Sequence, residues 1–198
     1  MTGRRGVYER ETGETRVGVE INIDGQGEFR STTGLRMLDH LLEQLARHGR
    51  FGLTISAAGD LHVDQHHTVE DIAICLGRAF RQALGEKGGI ARMGHALVPM
   101  DDALAMVAVD IGGRGYAVVE ARFRRREIGD LESALVGHFL ETFAGEARLN
   151  LHARLLEGNN DHHKAEALFK ALAKALDMAT QVDPRLGGKV PSTKEVID

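Results

Sequence analysis

Apolar residues alternate in some stretches of this chain and cluster at helical spacing in others, and each change of period marks an element. Val17, Val19, Ile21 and Ile23 alternate with Arg16, Gly18, Glu20 and Asn22, the two-residue period of a half-buried strand. "DGQG" at 24–27 turns the chain, and a further short extended piece runs to about Thr33. Helical spacing in "LRMLDHLLEQLARHG" at 35–49 predicts a helix with a glycine stop. "RFGLTISA" reads as a strand, and 66–84 as a second helix ended by Gly85. After "GEKGG" come three strand-like segments near 91–99, 103–111 and 115–122, a helix near 131–146, the strand "RLNLHARLLE" and a helix near 161–181.

The second series repeats the first, and the repeat extends to side chains. "HLLEQLA" from His40 matches "HFLETFA" from His138 at the histidine, the second leucine, the glutamate and the alanine. "HHTVEDIAICLGRAF" from His66 aligns without a gap on "HHKAEALFKALAKAL" from His162, and the single histidine precedes the pair by 26 residues in one half and 24 in the other. An α/β (α+β) fold of two pseudosymmetric halves follows: each is a mostly antiparallel sheet with two helices, and the two pack helix-to-helix as a sandwich. Residues 1–88 form the first half-repeat, 89–183 the second and 184–198 a C-terminal tail, all within one compact unit.

Composition narrows the function classes. The 198 residues are 42% hydrophobic and 27% charged, which suits a globular core and not a disordered chain. With a net charge of −4 and basic residues scattered except in "RFRRRE" at 122–127, no nucleic-acid surface is expected. That run reads as a solvated edge strand. No apolar run reaches the roughly 20 residues that cross a bilayer, and "MTGRRGVYER" has no apolar signal segment, so a cytoplasmic protein is expected. Cys75, the single cysteine, lies in the apolar "IAICLG" and is read as core filling.

The duplicated histidines carry the chemistry. Neighbouring helical residues point about 100° apart, so His66 and His67 should serve different ions. Glu70 lies within one helical turn of both, and His162, His163 and Glu166 repeat the arrangement, with His40 and His138 adding one imidazole each. Six imidazoles and two carboxylates divide into two sets of three nitrogens and one oxygen, mixed sites suited to Mn²⁺, Fe²⁺ or Zn²⁺, and no cysteine ligands point to closed structural zinc. His48, His62, His95 and His152, which stand alone, are read as ordinary polar residues. The HHxxE order also differs from the HExxH of zinc proteases and the ExxH of di-iron bundles.

Through "LDHLLEQLARHG", "GDLHVDQHHTVEDIAICLG", "PMDDALA", "GNNDHHKAEALFKALAKAL" and "PSTK", the chain resembles the imidazoleglycerol-phosphate dehydratases of histidine biosynthesis over nearly its whole length. The resemblance implies two Mn²⁺ per active site, bound through His40, His66, His67, Glu70, His138, His162, His163 and Glu166. It also implies substrate contacts from Glu14, Arg92, Arg114, Lys170, Ser192 and Lys194, so that the tail joins the substrate site. Homo-oligomers are implied as well, trimers assembling to an octahedral 24-mer with sites where subunits meet. Three positions depart from the family pattern: Gly115 in "GGRGY" replaces a usual proline, "TGLRMLDH" a more common "TGIGFLDH", and Glu195 after "PSTK" an expected glycine.

The implied reaction is dehydration of imidazoleglycerol phosphate to imidazoleacetol phosphate and water. The proton removed is weakly acidic and hydroxide leaves poorly, so ions on the azole ring favour electron release that expels the hydroxyl, while a carboxylate takes the neighbouring carbon's proton. Glu166 is placed as that base with Glu14 next, and tandem symmetry leaves Glu70 open. Guanidinium and ammonium groups of Arg92, Arg114 and Lys194 suit the phosphate, with the Ser192 hydroxyl. Two other classes compete: a different metal-dependent lyase or hydrolase on this scaffold, separated by assaying phosphate ester hydrolysis, and a metal-storage shell that would assemble without dehydratase activity.

Overall fold

A computed structural model describes residues 3–197. The first half contributes β1 (Arg5–Glu11), β2 (Thr15–Asn22), β3 (Phe29–Thr32), α1 (Arg36–Gly49), β4 (Gly52–Gly59) and α2 (His66–Leu84). The second contributes β5 (Met93–Met100), β6 (Ala103–Asp110), β7 (Tyr116–Glu120), the short β8 (Glu127–Ile128) and β9 (Leu131–Glu132), α3 (Ala134–Ala147), β10 (Asn150–Glu157) and α4 (Asp161–Thr180). A 3₁₀ turn at Pro184–Leu186 begins the tail. The larger sheets run β1-β2-β4-β3 and β5-β6-β10-β7, the same order in both halves, with β8 and β9 paired separately. Only the last strand of each is parallel to its neighbour, β3 to β4 and β7 to β10.

The α/β sandwich of two pseudosymmetric halves is what the repeat predicts. Helix α2 packs on β1 and β2, α4 packs on β5 and β6, and the helical layers meet as α1 on α4 and α2 on α3. Strand β2 shows why: Thr15, Val17, Val19 and Ile21 face inward in strict alternation while Arg16 and Glu20 face water. Ala165, Ala167, Ala171, Ala173, Ala175 and Ala179 of α4 are all fully buried, because small side chains let this helix sit between a sheet and α1.

Strand β1, absent from the sequence reading, is positioned by Gly6: a Cβ there would lie 1.9 Å from the Ala79 carbonyl of α2. The second half repeats the contact, with Gly94 of β5 against Ala175 of α4, where a Cβ would lie 2.0 Å from the carbonyl. An outer strand thus lies directly on helix backbone twice, and only glycine allows it.

Other details depart from the sequence reading. "RFRRRE" is not an edge strand of the main sheet: β7 ends at Glu120, residues 122–126 form an irregular loop, and Glu127 begins the short β8. The loop is tied down by Asp161, whose carboxylate accepts the Arg124 and Arg125 backbone N–H groups at 2.8 and 2.7 Å. Helix α3 starts at Ala134, after β9, and not near 131. Gly49 is the last residue of α1, and the left-handed cap falls on Arg50 (φ 58°), as it does on Arg148 (φ 52°) after α3. Gly115 approaches the Gly145 backbone, where a Cβ would meet Cα at 2.7 Å, so this departure from proline accommodates close packing.

Candidate metal centre

The helices that carry the histidine pairs begin alike. Asp64 accepts the backbone N–H of His66, and Asn160, at the equivalent position, accepts that of His162, each at 3.0 Å. The pairs therefore sit in the first turns of α2 and α4, at one end of the helical layer. Within each pair the rings splay, with centroids 6.3 Å apart at 87° for His66 and His67, and 6.1 Å at 81° for His162 and His163. One member of each pair turns toward the helix interface and the other turns away.

The inward members meet donors from the opposite half. One donor atom each from His40, His162 and Glu166 lies within 4.8 Å of the others, and His66, Glu70 and His138 form a second such set. Because α1 packs on α4 and α3 on α2, the single histidine of each half completes the other half's set. The rings stack accordingly, His40 with His162 at 5.4 Å and 26°, His66 with His138 at 4.4 Å and 28°.

The His138 Nε2 is buried with no hydrogen-bond partner among the described residues, although the Glu70 carboxylate stands 3.4 Å away. A buried ring nitrogen left unpaired beside a carboxylate is satisfied by a proton, a water or a cation placed between them, and a cation serves both groups at once. These donor sets therefore fit a divalent ion of the N/O-binding kind.

In the His40–His162–Glu166 set the carboxylate is nearly buried. Glu166 Oε2 lies 3.2 Å from both His40 Nε2 and His162 Nε2, while Oε1 accepts from Lys170 Nζ at 2.5 Å. Burial pushes this carboxyl's pKa up, but the hydrogen bonds from Lys170 and His40 outweigh burial and hold it below its ordinary value. A cavity of about 530 Å³ opens beside it, lined by Arg36, Met37, His40, Gly129, Asp130, His162 and Glu166.

The outward histidines meet Glu14 and two carboxylates that sequence reasoning missed, Asp60 and Asp102. His67 Nδ1 lies 3.1 Å from Asp60 and 3.6 Å from Glu14, and His163 Nδ1 lies 2.6 Å from Asp102. The bond to Asp60 raises the His67 pKa. Asp60 and Asp102 belong to stretches already noticed, "GDLHVDQHH" and "PMDDALA", but no periodicity ties Asp102 to a histidine 61 positions away. The β5–β6 hairpin tip makes that contact.

The remaining substrate candidates lie elsewhere. Arg92 forks onto Asp110 at 2.7 and 3.0 Å and donates to the Pro191 carbonyl at 2.8 Å, and its own N–H bonds Ala179 at the far end of α4. The Arg114 carbonyl accepts from Asn150 at the start of β10. Ser192 Oγ accepts the Lys194 backbone N–H. Within one chain, about 25 Å of helix separates the donor sets from the segment holding Arg92 and the tail. Glu195 has φ +62°, where glycine is favoured, at the position where the resemblance leads one to expect glycine.

The sequence profile of the imidazoleglycerol-phosphate dehydratase family matches residues 33–176. A relative of that name from Roseiflexus sp. (strain RS-1) is 57% identical over 194 residues, covering 98% of each chain. One from Dehalococcoides mccartyi (strain ATCC BAA-2266 / KCTC 15142 / 195) is 56% identical over 198 residues and the full length of both. The crystal structure of the Pyrococcus furiosus enzyme superposes with a TM-score of 0.81 at 39% identity, over 96% of this chain and 99% of that one. That of the Staphylococcus aureus enzyme gives 0.79 at 31% identity, over 90% and 99%.

Proposed function

This chain belongs to the imidazoleglycerol-phosphate dehydratase family, a hydro-lyase family of histidine biosynthesis, and from that membership we propose a metal-dependent dehydration of imidazoleglycerol phosphate to imidazoleacetol phosphate. The observation that carries the metal dependence is the pair of cross-half donor sets, with the unpaired His138 Nε2 inside one of them. Two Mn²⁺ per site, held by His40, His66, His67, Glu70, His138, His162, His163 and Glu166, would supply Lewis-acid stabilisation of charge developing on the azole ring.

Each set within one chain has two imidazoles and one carboxylate, while His67 and His163 point away from both. These two therefore serve sites shared with neighbouring subunits. Arg92, Arg114, Ser192 and Lys194, at the opposite end of the molecule, bind the substrate phosphate in the same shared way. This geometry supports a homo-oligomer, and family membership alone suggests the octahedral 24-mer as its form and the cytoplasm as its setting. No helix among the described residues is long and apolar enough to cross a membrane.

Glu14 is the better candidate for the base. Both oxygens of Glu166 are engaged by Lys170, His40 and His162, so its carboxylate serves as a donor group. Glu14 sits at the exposed β1–β2 turn with its side chain 58% accessible, beside His67, and is free to receive a carbon-bound proton. This reverses the order of preference drawn from the sequence and leaves Lys170 to hold Glu166 as well as to meet substrate.

Dehydratase assays on chelator-treated and Mn²⁺-restored protein test the reading. Activity should vanish and return, and Glu14→Gln should lower kcat about 10²- to 10⁴-fold while Mn²⁺ binding persists. Full turnover by the chelated protein would refute the metal dependence, and full turnover by Glu14→Gln would refute the base.

A further inference from the structure

Two carboxylates outside the proposed ligand set hold the outward histidines, and they come from places that the internal repeat does not relate. Asp60 is the residue after β4; its counterpart after β10 is Gly158, which has no side chain to offer. Asp102 is the residue before β6; its counterpart before β2 is Glu14. The molecule reaches the same local contact, a carboxylate on Nδ1, by a strand-to-helix loop in one half and by a hairpin tip in the other.

We propose that Asp60 and Asp102 are positioning residues: each accepts the Nδ1 proton of its histidine, fixing the tautomer that leaves the Nε2 lone pair for a metal ion. At His163 that nitrogen faces the Asn160 amide at 3.4 Å, a donor that an unprotonated Nε2 accepts from, with Asp101 at 3.5 Å. The proposal rests on the metal-dependent reading above. An ionised carboxylate only accepts, so the nitrogen facing it carries the proton and the opposite nitrogen carries the lone pair. The ring is also fixed in orientation, which a ligand shared between subunits requires.

The two carboxylates are anchored differently. Asp102 Oδ1 takes His163 Nδ1 at 2.6 Å, while Oδ2 accepts two backbone N–H groups, from Asn159 at 2.5 Å and Asn160 at 3.0 Å. Every neighbour of this side chain is a donor. Asp60 presents both oxygens to His67 Nδ1, at 3.1 and 3.3 Å, and its side chain has no other hydrogen-bond partner among the described residues.

An asparagine therefore behaves oppositely at the two positions. At 60 its amide oxygen alone accepts from His67 and preserves the tautomer. At 102 its single oxygen cannot satisfy both the backbone pair and the ring. With that oxygen on the backbone, the amide NH₂ faces His163 and drives the proton to Nε2, which blocks ligation although the side chain fills the same space.

Mn²⁺ titration of the assembled protein, reading free ion by electron paramagnetic resonance, tests this. Asp102→Ala and Asp102→Asn should both weaken binding about 10- to 100-fold, Asp60→Ala by about tenfold or more, and Asp60→Asn by no more than about threefold. Melting temperatures of the metal-free variants confirm an intact fold, and if the position-102 variants do not assemble, the pair at 60 decides alone. Wild-type affinity in Asp102→Asn, or equal losses in Asp60→Asn and Asp60→Ala, overturns the proposal. A wild-type protein that binds no Mn²⁺ overturns instead the metal-dependent reading on which it stands.

Discussion

The two donor sets have the same residue types and the same helical spacing, yet Glu70 and Glu166 occupy different environments. The Glu70 side chain is 40% exposed and faces only the imidazoles of His138 and His66 among the described residues, whereas the Glu166 side chain is 8% exposed and bridges two imidazoles and an ammonium. Four residues after Glu166 comes Lys170, and four after Glu70 comes Ile74. One copy thus balances its carboxylate with an internal cation, while the other leaves it for whatever arrives. Symmetry of donors does not imply symmetry of energetics: duplication set the geometry, and the residue one turn later set the electrostatics.

Truncating the two carboxylates separates the copies most sharply. Glu166→Ala leaves a largely buried ammonium with only the Met100 sulfur as acceptor and should cost about 3 kcal/mol of metal-free stability in urea unfolding at fixed protein concentration. Glu70→Ala removes only an exposed group and should stay within about 0.5 kcal/mol. Comparable losses from both would erase the distinction.

Giving the second copy the first copy's residue breaks the contrast from the other side. Lys170→Ile removes a charge-assisted hydrogen bond and should cost about 2 kcal/mol near neutral pH. Because the folded pKa of Glu166 lies below the ordinary 4.5, its contribution is complete above pH 4.5 and is lost as pH falls through the lowered value. The stability curve of Lys170→Ile should therefore be flatter below pH 4.5 than that of the parent protein.

The smallest effect concerns Cys75, which aligns with Ala171. It is fully buried, and burial pushes its thiol pKa up to about 12. Cys75→Ala, the second copy's choice, should cost about 1 kcal/mol. The native thiol should resist labelling at pH 8 until the protein unfolds.

Sequence pattern carried most of the architecture because the repeat is written in the core-facing positions. Alternation in β2 and leucine spacing in α1 are direct records of burial. Strand β1 escaped because "RGVYERE" alternates weakly and its defining contact, Gly6 on Ala79, is made across the fold. "RFRRRE" misled because its order comes from Asp161 and not from its own pattern.

At the site, the donor types and the splaying of adjacent histidines were readable from spacing. The exchange of His40 and His138 between halves was not, because it depends on which helices face each other. Asp102 was invisible for the same reason. Glycine at 195, expected from the resemblance, finds its physical reason in the positive φ that Glu195 adopts.

The crossed helices have a further consequence. If each half were a separate polypeptide, two identical copies could pair and share histidines just as the halves do here, but every residue would then occur at both centres. Lysine would stand behind both carboxylates or behind neither. Within one polypeptide that constraint is absent, so one centre is neutralised in advance while its twin stays electrically open.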